Sequence, residues 1–200
     1  MTTFIFVRHA AHDLLGKILT GRAPGVHLNA RGKMQAERLA DRLSKLQIAA
    51  IYTGPLERAV ETAGPLSDRF SLEKRLCPAF DEVDFGAWTS LTFAALDQRS
   101  DWKAWNESRD RTTPPEGENI QAVQERAATE LHLLAHRYPN EIVAIVSHGE
   151  VIKSVMMYFL GLATRFHSRL GISPGSLSIL TLFSGQAHVK AISDTGHLSD

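Results

Sequence analysis

Two short apolar runs, each followed by a histidine, constrain the fold of this chain more than any other feature. The run 4–7 leads into Arg8 and His9, and the run 142–146 leads through one serine into His148 and Gly149. Apolar runs of this length without polar alternation are typical of strands that are covered on both faces. Such strands occur in parallel sheets with helices on either side, so the two runs predict an α/β fold around a buried sheet.

The rest of the chain alternates between helical and strand-like patterns. Helices are predicted over 32–45, 55–70, 119–138 and 151–160, and further strands over 48–52, 177–183 and 188–192. Strands that alternate with helices indicate a mainly parallel sheet. The last two strands are separated only by a turn at Ser184 and Gly185, which predicts an antiparallel edge on that sheet.

Length and composition narrow the possible functions. The 200 residues are predicted to form one domain, residues 1–200, with irregular loop insertions at about 10–29 and 101–118. The 22 basic and 22 acidic residues give a net charge of zero. This balance argues against nucleic acid or a membrane surface as the partner, but it leaves room for a small anionic ligand. The single cysteine, Cys77, excludes an intramolecular disulfide and a cysteine-built zinc site. No signal-peptide pattern or long apolar run is visible, which predicts a cytoplasmic protein.

Basic side chains gather at the predicted ends of three strands. Arg8 and His9 follow the first strand, His148 follows a later one, and Arg58 lies in the first turn of the helix after the strand 48–52. Ligands of open α/β sheets bind beyond the carboxyl ends of the strands. Arginine offers planar, bidentate donors to phosphate, a helix N-terminus favours an anion, and a neutral imidazole can act as a nucleophile. The pattern therefore predicts phosphate chemistry at this edge.

Five segments, in order, resemble the successive motifs of the histidine phosphatase (phosphoglycerate mutase-like) superfamily. They are 7–9 (Val-Arg-His), 28–36, 53–63, 81–88 and 147–152, and together they extend over nearly the whole chain. The resemblance implies a phosphoglycerate mutase-like, three-layer α/β/α sandwich, whose mainly parallel central sheet has an antiparallel edge strand. It also implies an enzyme without a cofactor or metal that acts on a small phosphorylated metabolite.

The resemblance further assigns a role to each residue of the predicted site. His9 would attack phosphorus and form a phosphohistidine, while Arg8, Arg58 and His148 would hold the phosphoryl oxygens and Glu82 would protonate the leaving oxygen. Further phosphate contacts are expected from Gly149, Thr20, Gly21 and Arg22. Neighbouring arginines should lower the pKa of His9, whereas Glu82 needs a raised pKa to carry its proton. A mildly acidic activity optimum follows.

Several residues depart from the pattern of this superfamily. Ala10 stands where glycine is usual, and we expect its methyl group to reshape the pocket beside His9. Leu15 stands near the position of a phosphate-binding asparagine, and Ser90 replaces another glycine. These departures favour a phosphatase over a phosphoglycerate mutase, which would also need to hold a substrate carboxylate, with Arg109 and Arg111 as the candidates.

Three other interpretations remain open. The segment 171–175 fits the Gly-x-Ser-x-Gly elbow of α/β-hydrolases, with Ser173 as the nucleophile and Asp194 and His197 after it. His12 and Asp13 could contribute to a metal site that activates water. The third interpretation is a catalytically weak module of the same fold that only binds phosphorylated ligands.

Overall fold

The computed structural model describes residues 1–199 and is built around a six-stranded sheet. Its strands are β1 (Thr2–Arg8), β2 (Ile48–Thr53), β3 (Lys74–Leu76), β4 (Ile142–Ser147), β5 (Leu177–Phe183) and β6 (Gln186–Asp194). The strand order is β3-β2-β4-β1-β5-β6. The first four strands in this order run parallel, whereas β5 and β6 are each antiparallel to their neighbours.

Seven α-helices and three short 3₁₀ helices accompany the sheet in the described residues. The α-helices are α1 (Ala30–Leu43), α2 (Glu57–Thr62), α3 (Gly64–Phe70), α4 (Phe93–Leu96), α5 (Ser100–Glu107), α6 (Ile120–Arg137) and α7 (Gly149–Phe159). The 3₁₀ helices cover Pro78–Phe80, Gly86–Trp88 and Thr164–Arg169. Within residues 1–199, no helix is long and apolar enough to cross a membrane.

Successive side chains of β1 point to opposite faces of the sheet and enter two different cores. Phe4 and Phe6 belong to the larger core, which contains the apolar faces of α6 and α7. Ile5 and Val7 belong to the second core, with residues of α1, α2 and α3. Because both faces of the strand are buried, the absence of polar alternation in the run 4–7 is explained. The three-layer α/β/α sandwich predicted above is confirmed.

The register of β1 and β4 places the two histidine-bearing strand ends side by side. The strands are parallel, and Arg8 is paired with Ser147, so His9 and His148 both leave the sheet at its carboxyl edge. The antiparallel edge consists of two strands, β5 and β6, which confirms the two strands predicted over 177–183 and 188–192. Ser184 and Gly185 join them with positive φ angles of 43° and 76°, a turn geometry that suits the twist of a hairpin.

Two element predictions differ from the structure. The predicted helix 55–70 is divided into α2 and α3, because Pro65 in the first turn of α3 lacks the N–H that a continuous helix would need. The segment predicted to be irregular over 101–118 contains most of α5. Trp102 and Trp105, one helical turn apart, are both buried and anchor this helix.

The segment 10–29 does lack helices and strands, apart from one isolated bridge between Ile18 and Thr92. The single-domain boundary stays a prediction.

Candidate active site

A cavity of about 360 Å³ opens at the carboxyl edge of the sheet. Its inner end is formed by Arg8, His9, Glu82 and Gly149, which come from three separate segments. Thr20 and Gly21, from the long loop after β1, line the same cavity. Six of the predicted site residues are thus brought to one place by strand ends and by the loops.

His9 is held in one orientation by the backbone. Its ring Nδ1 lies 2.9 Å from the carbonyl oxygen of Ala10. A carbonyl can only accept, so Nδ1 carries the proton and the neutral ring has its lone pair on Nε2. Burial, together with Arg8 and Arg58, lowers the pKa of His9 well below its usual value. The ring is therefore neutral and nucleophilic at physiological pH.

Arg58 lies in α2 and is completely buried beside the cavity. One terminal nitrogen, Nη2, donates to the carbonyl oxygen of Gly21 at 2.7 Å. The other two nitrogens, Nε and Nη1, are buried without a hydrogen-bond partner in the described residues. An unpartnered buried donor is costly, and a guanidinium offers a planar set of donors to an anion. Arg58 is therefore suited to receive an acceptor-rich ligand.

Arg8 approaches the first turn of α7, where a side chain would obstruct it. A Cβ atom on Gly149 would lie 3.1 Å from Nε of Arg8, so glycine leaves the space that the guanidinium occupies. Nη1 of Arg8 donates to the carbonyl oxygen of Ile172, whereas Nε is buried without a partner. The guanidinium is thus fixed at one end.

His148 immediately precedes α7 and is completely buried. Its ring centroid lies 5.2 Å from that of His9, and neither ring nitrogen makes a hydrogen bond within the described residues. Nδ1 lies 3.8 Å from a carboxylate oxygen of Glu82. Burial and then Arg58 lower the pKa of His148 well below its usual value, so the ring is neutral.

Glu82 has the electrostatic surroundings of an acid that keeps its proton. Its exposed fraction is 8%, and burial raises its pKa to about 7 although Arg58 and Arg8 oppose the shift. One carboxyl oxygen, Oε1, accepts from the N–H of Val83 at 2.9 Å. A carboxyl group that titrates near neutral pH can both donate and accept a proton.

Arg22 does not line the cavity, contrary to its predicted role in binding the substrate. Its Nε donates to the backbone carbonyl of Glu82 at 2.7 Å, and its guanidinium lies 3.1 Å from Glu118 and 3.5 Å from Asp81. Arg126 of α6 donates to the carbonyl of Asp81 at 2.8 Å from the same side. The acidic neighbours hold Arg22 behind Glu82, where it supports the backbone of the loop that carries this carboxyl group.

The expected effect of Ala10 on the pocket is wrong. Its methyl group is buried in a small separate core with Leu28 and Ala36, away from the cavity. Its N–H donates to Oγ1 of Thr62 at 2.9 Å. Leu15, in contrast, does line the cavity and adds an apolar surface.

The structure does not assemble the two rival sites. Ser173 is exposed and lies in a turn that leads into β5, whereas a nucleophile elbow connects a strand to a helix. His197 uses its Nε2 to contact the carbonyl of Gly175. Asp13 accepts from Asn29, and no cluster of three or more histidine, cysteine, aspartate or glutamate residues in the described chain could hold a metal ion.

Sequence reasoning named Arg109 on the outer wall of the cavity but missed Glu150 and Lys153. Trp105 lines this wall and carries the guanidinium of Arg109 above its ring at 3.8 Å. Arg109 also pairs with Glu150, which Lys153 contacts at 3.1 Å. Burial alone would raise the pKa of Glu150, but Arg109 and Lys153 outweigh it and the pKa falls to about 2.

The signals for this wall were weak in the sequence. Trp102 and Trp105 have helical spacing, and Glu150 directly follows the motif with His148, but the pairing of Glu150 with Arg109 joins residues 41 positions apart. Arg111, the other arginine considered for a carboxylate site, has a side chain that is 83% exposed and does not line the cavity.

Comparison with known proteins gives one consistent family. Residues 4–195 match the model of the histidine phosphatase superfamily (branch 1). Phosphoserine phosphatase 1 of Hydrogenobacter thermophilus is 26% identical over 205 residues, which cover 100% of this chain and 96% of that protein. Mycobacterial relatives that are 30% identical are longer, and the chain spans 55% of their length.

Solved structures share the fold along the entire chain. YhfR of Bacillus stearothermophilus has a TM-score of 0.93 and 26% identity, with 100% of both chains covered. A phosphoserine phosphatase mutant of Entamoeba histolytica in complex with phosphoserine has a TM-score of 0.89 and 25% identity, again with 100% of both chains covered.

Proposed function

This chain belongs to the histidine phosphatase superfamily and is a phosphatase of that family, and from this premise we propose that it hydrolyses small phosphomonoesters without a metal, through a phosphohistidine on His9. The observation that carries the proposal is the convergence of unpartnered donors around one free imidazole lone pair. Arg8, Arg58 and His148 each bury at least one nitrogen that has no partner among residues 1–199, and the Nε2 lone pair of His9 is available beside them. Phosphoryl oxygens would satisfy these donors.

In the first step His9 attacks phosphorus. The lone pair of Nε2 forms the N–P bond as the bond from phosphorus to the ester oxygen breaks, and Glu82 gives its proton to that oxygen. The products are an alcohol, a phosphorylated His9 and an ionised Glu82. The pKa of about 7 means that Glu82 still holds its proton in weakly acidic solution.

In the second step water returns the enzyme to its starting state. The carboxylate of Glu82 takes a proton from water as its oxygen attacks phosphorus, and the N–P bond breaks with its electron pair returning to Nε2. Phosphate leaves, His9 is neutral and Glu82 is protonated again. Each group ends where it began, so the two steps are written with His9, Glu82 and water alone.

Charge stabilisation in both steps comes from the arginines. Arg8 and Arg58 flank His9 closely enough to lower its pKa. Preorganised donors of this kind each contribute about 3–4 kcal/mol to transition-state stabilisation.

The organic part of the substrate would face the outer wall. Trp105 supplies an aromatic surface, and Arg109, Glu150 and Lys153 supply polar contacts. Two of the similar proteins described above are phosphoserine phosphatases, which makes phosphoserine the first natural ester to test. Arg109, the candidate for holding the substrate carboxylate of a mutase, is paired with Glu150.

The proposal is tested by hydrolysis of p-nitrophenyl phosphate in excess EDTA, followed by a panel of phosphomonoesters including phosphoserine. We expect turnover in the native chain, no turnover in His9→Ala, and native turnover in His136→Ala, which removes an exposed histidine. After a reaction with a ³²P-labelled phosphomonoester is quenched, label on the native chain that is lost in acid and kept in base would identify the phosphohistidine. Activity that survives His9→Ala, or that EDTA abolishes, would refute the mechanism.

A further inference from the structure

We propose that His12 is a further phosphoryl-binding residue, whose imidazole N–H donates to an oxygen of the phosphoryl group held by His9. This inference rests on the proposed function, but it concerns a side chain that the mechanism above does not use.

The position of His12 is the first observation. The residue lies in the loop after β1, lines the cavity and has an exposed fraction of only 4%. Its ring centroid lies 5.3 Å from that of His9, and the two planes are inclined by 33°. This separation matches the 5.2 Å between the rings of His9 and His148. His12 and His148 therefore lie at equal distances from the nucleophile.

The absence of an internal partner is the second observation. Of the four histidines that are almost completely buried, His9 uses its ring Nδ1 on a backbone carbonyl and His167 uses its Nδ1 on Arg109. The rings of His12 and His148 make no hydrogen bond within residues 1–199, and Nδ1 of His12 is buried. A buried histidine that serves only packing normally has its polar atoms paired. The ring of His12 instead resembles that of His148 in its unused hydrogen-bonding capacity.

The charge state of His12 suits a neutral donor. Burial, then Arg58 and Arg8, lower its pKa to about 4. Asp13, the adjacent carboxylate, raises it only weakly and accepts a hydrogen bond from Asn29 at 2.9 Å. A neutral imidazole keeps one N–H and adds no positive charge beside the two arginines. It can therefore lie close to them in the free enzyme and donate once a phosphoryl group arrives.

The neighbouring residues supply no substitute for this donor. Leu15, from the same loop, lines the cavity with an apolar side chain, and Arg22 is engaged behind Glu82. Of the side chains between β1 and Gly21 that line the cavity, His12 and Thr20 are the only uncharged ones with a hydrogen-bond donor after His9. His12 is the one whose ring contacts the nucleophile.

Two replacements of His12, with one control at His136, separate a role in phosphoryl binding from a role in packing. His12→Phe keeps a planar ring without a donor, His12→Gln keeps a donor, and His136→Phe makes the same change at an exposed position. Measurements are kcat/KM for p-nitrophenyl phosphate, inhibition by orthovanadate as a mimic of the transferring phosphoryl group, and the melting temperature of each variant.

We expect His12→Phe to lower kcat/KM and to weaken vanadate inhibition by about 10- to 100-fold, the effect of one hydrogen bond to a charged group. Its melting temperature should stay the same or rise, because an unpaired polar group has been replaced by an apolar one. His12→Gln should recover most of the lost vanadate affinity, and His136→Phe should behave as the native chain.

Two results would overturn the inference. Native vanadate inhibition and kcat/KM in His12→Phe would show that the imidazole does not touch the phosphoryl group. Equal losses in the Phe and Gln variants, together with a lower melting temperature, would assign His12 to packing. Both results leave the role of His9 intact, because the EDTA-resistant, His9-dependent turnover of the native chain is measured separately.

Discussion

Two carboxylates on the wall of one cavity, Glu82 and Glu150, have opposite electrostatic surroundings. Glu82 lies at the inner end, no lysine or arginine among residues 1–199 forms an ion pair with its carboxylate, and burial raises its pKa to about 7. Glu150 lies on the outer wall, where Arg109 and Lys153 contact it directly and the pKa falls to about 2 against the effect of burial. The proximity of positive charge is therefore insufficient to ionise a buried carboxyl group, and direct contact decides the result.

The difference extends from these two residues to the two ends of the cavity. At the inner end, Arg58 and His148 keep buried nitrogens that have no partner in the described part of the chain. On the outer wall, Arg109 and Lys153 both pair with the carboxylate of Glu150. Unpaired polar groups destabilise the free protein, and this cost is recovered only when a ligand supplies acceptors. The inner end is thus organised for chemistry, and the outer wall for shape and rigidity.

The strongest test of this contrast is the pair Glu82→Gln and Glu150→Gln. We expect Glu82→Gln to lower kcat by about 10²- to 10⁴-fold, the usual contribution of a general acid. The loss should be larger for an alkyl phosphate than for p-nitrophenyl phosphate, because nitrophenolate leaves without a proton. The rate of the native chain should also fall as the pH rises above about 7, because Glu82 loses its proton there. This fall in rate should be absent from the pH–rate profile of Glu82→Gln.

Glu150→Gln is the matched control for the same measurements. It removes a carboxylate from the same cavity without removing a proton donor, so the alkyl and aryl esters should lose activity equally. If Glu150→Gln shows the larger dependence on the leaving group, the assignment of the acid to Glu82 is wrong.

The arginines provide a second comparison. Arg58→Gln should lower kcat for p-nitrophenyl phosphate by about 10²- to 10³-fold, since a buried donor to the transition state is lost. Arg109→Gln should change it by less than about 10-fold, because the guanidinium contacts Glu150 and Trp105 and lies on the outer wall. Arg111→Gln, at an exposed site, measures the effect of lost charge alone. Equal losses at positions 58 and 109 would contradict the division between the two ends.

The two carboxylates should also give opposite dependences of stability on pH. Glu150 has a lowered pKa, so its contribution is present above the ordinary value of 4.5 and is lost as the pH falls towards about 2. Glu82 has a raised pKa, so the native state holds a proton that the unfolded state has lost between 4.5 and about 7, and stability declines as the pH rises through that window.

Urea unfolding of the native chain, Glu82→Gln and Glu150→Gln at pH 3, 5 and 8 measures how the free energy of unfolding depends on pH. The difference in unfolding free energy between the native chain and Glu150→Gln should shrink by about 1–3 kcal/mol from pH 5 to pH 3. Glu82→Gln should be more stable relative to the native chain at pH 8 than at pH 5. Parallel pH profiles for all three proteins would show that the two sites do not differ.

The smallest expected effect is at Arg22, which supports the backbone of Glu82. Arg22→Gln should lower kcat by about 5-fold, as one hydrogen bond worth about 1 kcal/mol is lost, and it should leave KM nearly unchanged. Arg31→Gln, which alters an exposed arginine of α1, is the control. A large rise in KM without a change in kcat would return Arg22 to its predicted role in substrate binding.

Local patterns were sufficient to predict the framework. The apolar run 4–7 and the run 142–146 predicted β1 and β4. Asn119, the first residue of the helix predicted over 119–138, accepts from the N–H of Ala122 as the N-cap of α6. Parallel strands end at one edge of a sheet, so the proximity of His9 and His148 followed from their places in the sequence. Helix boundaries were less predictable where Pro65 divided one segment and where buried tryptophans created α5.

The sequence by itself determined the α/β framework and the residues carried to the edge of its sheet, because strand and helix periods and the strand-end rule depend on neighbours along the chain. Only the tertiary structure decided that Arg22 lies behind Glu82 and that the methyl group of Ala10 packs away from the cavity. It also decided that Glu150 is ionised and paired with Arg109. These outcomes depend on contacts between distant residues: Arg22 meets Glu82 across 60 positions and Arg109 meets Glu150 across 41. The charge of a buried group is set by such contacts, since burial and nearby ions act through space and not along the chain.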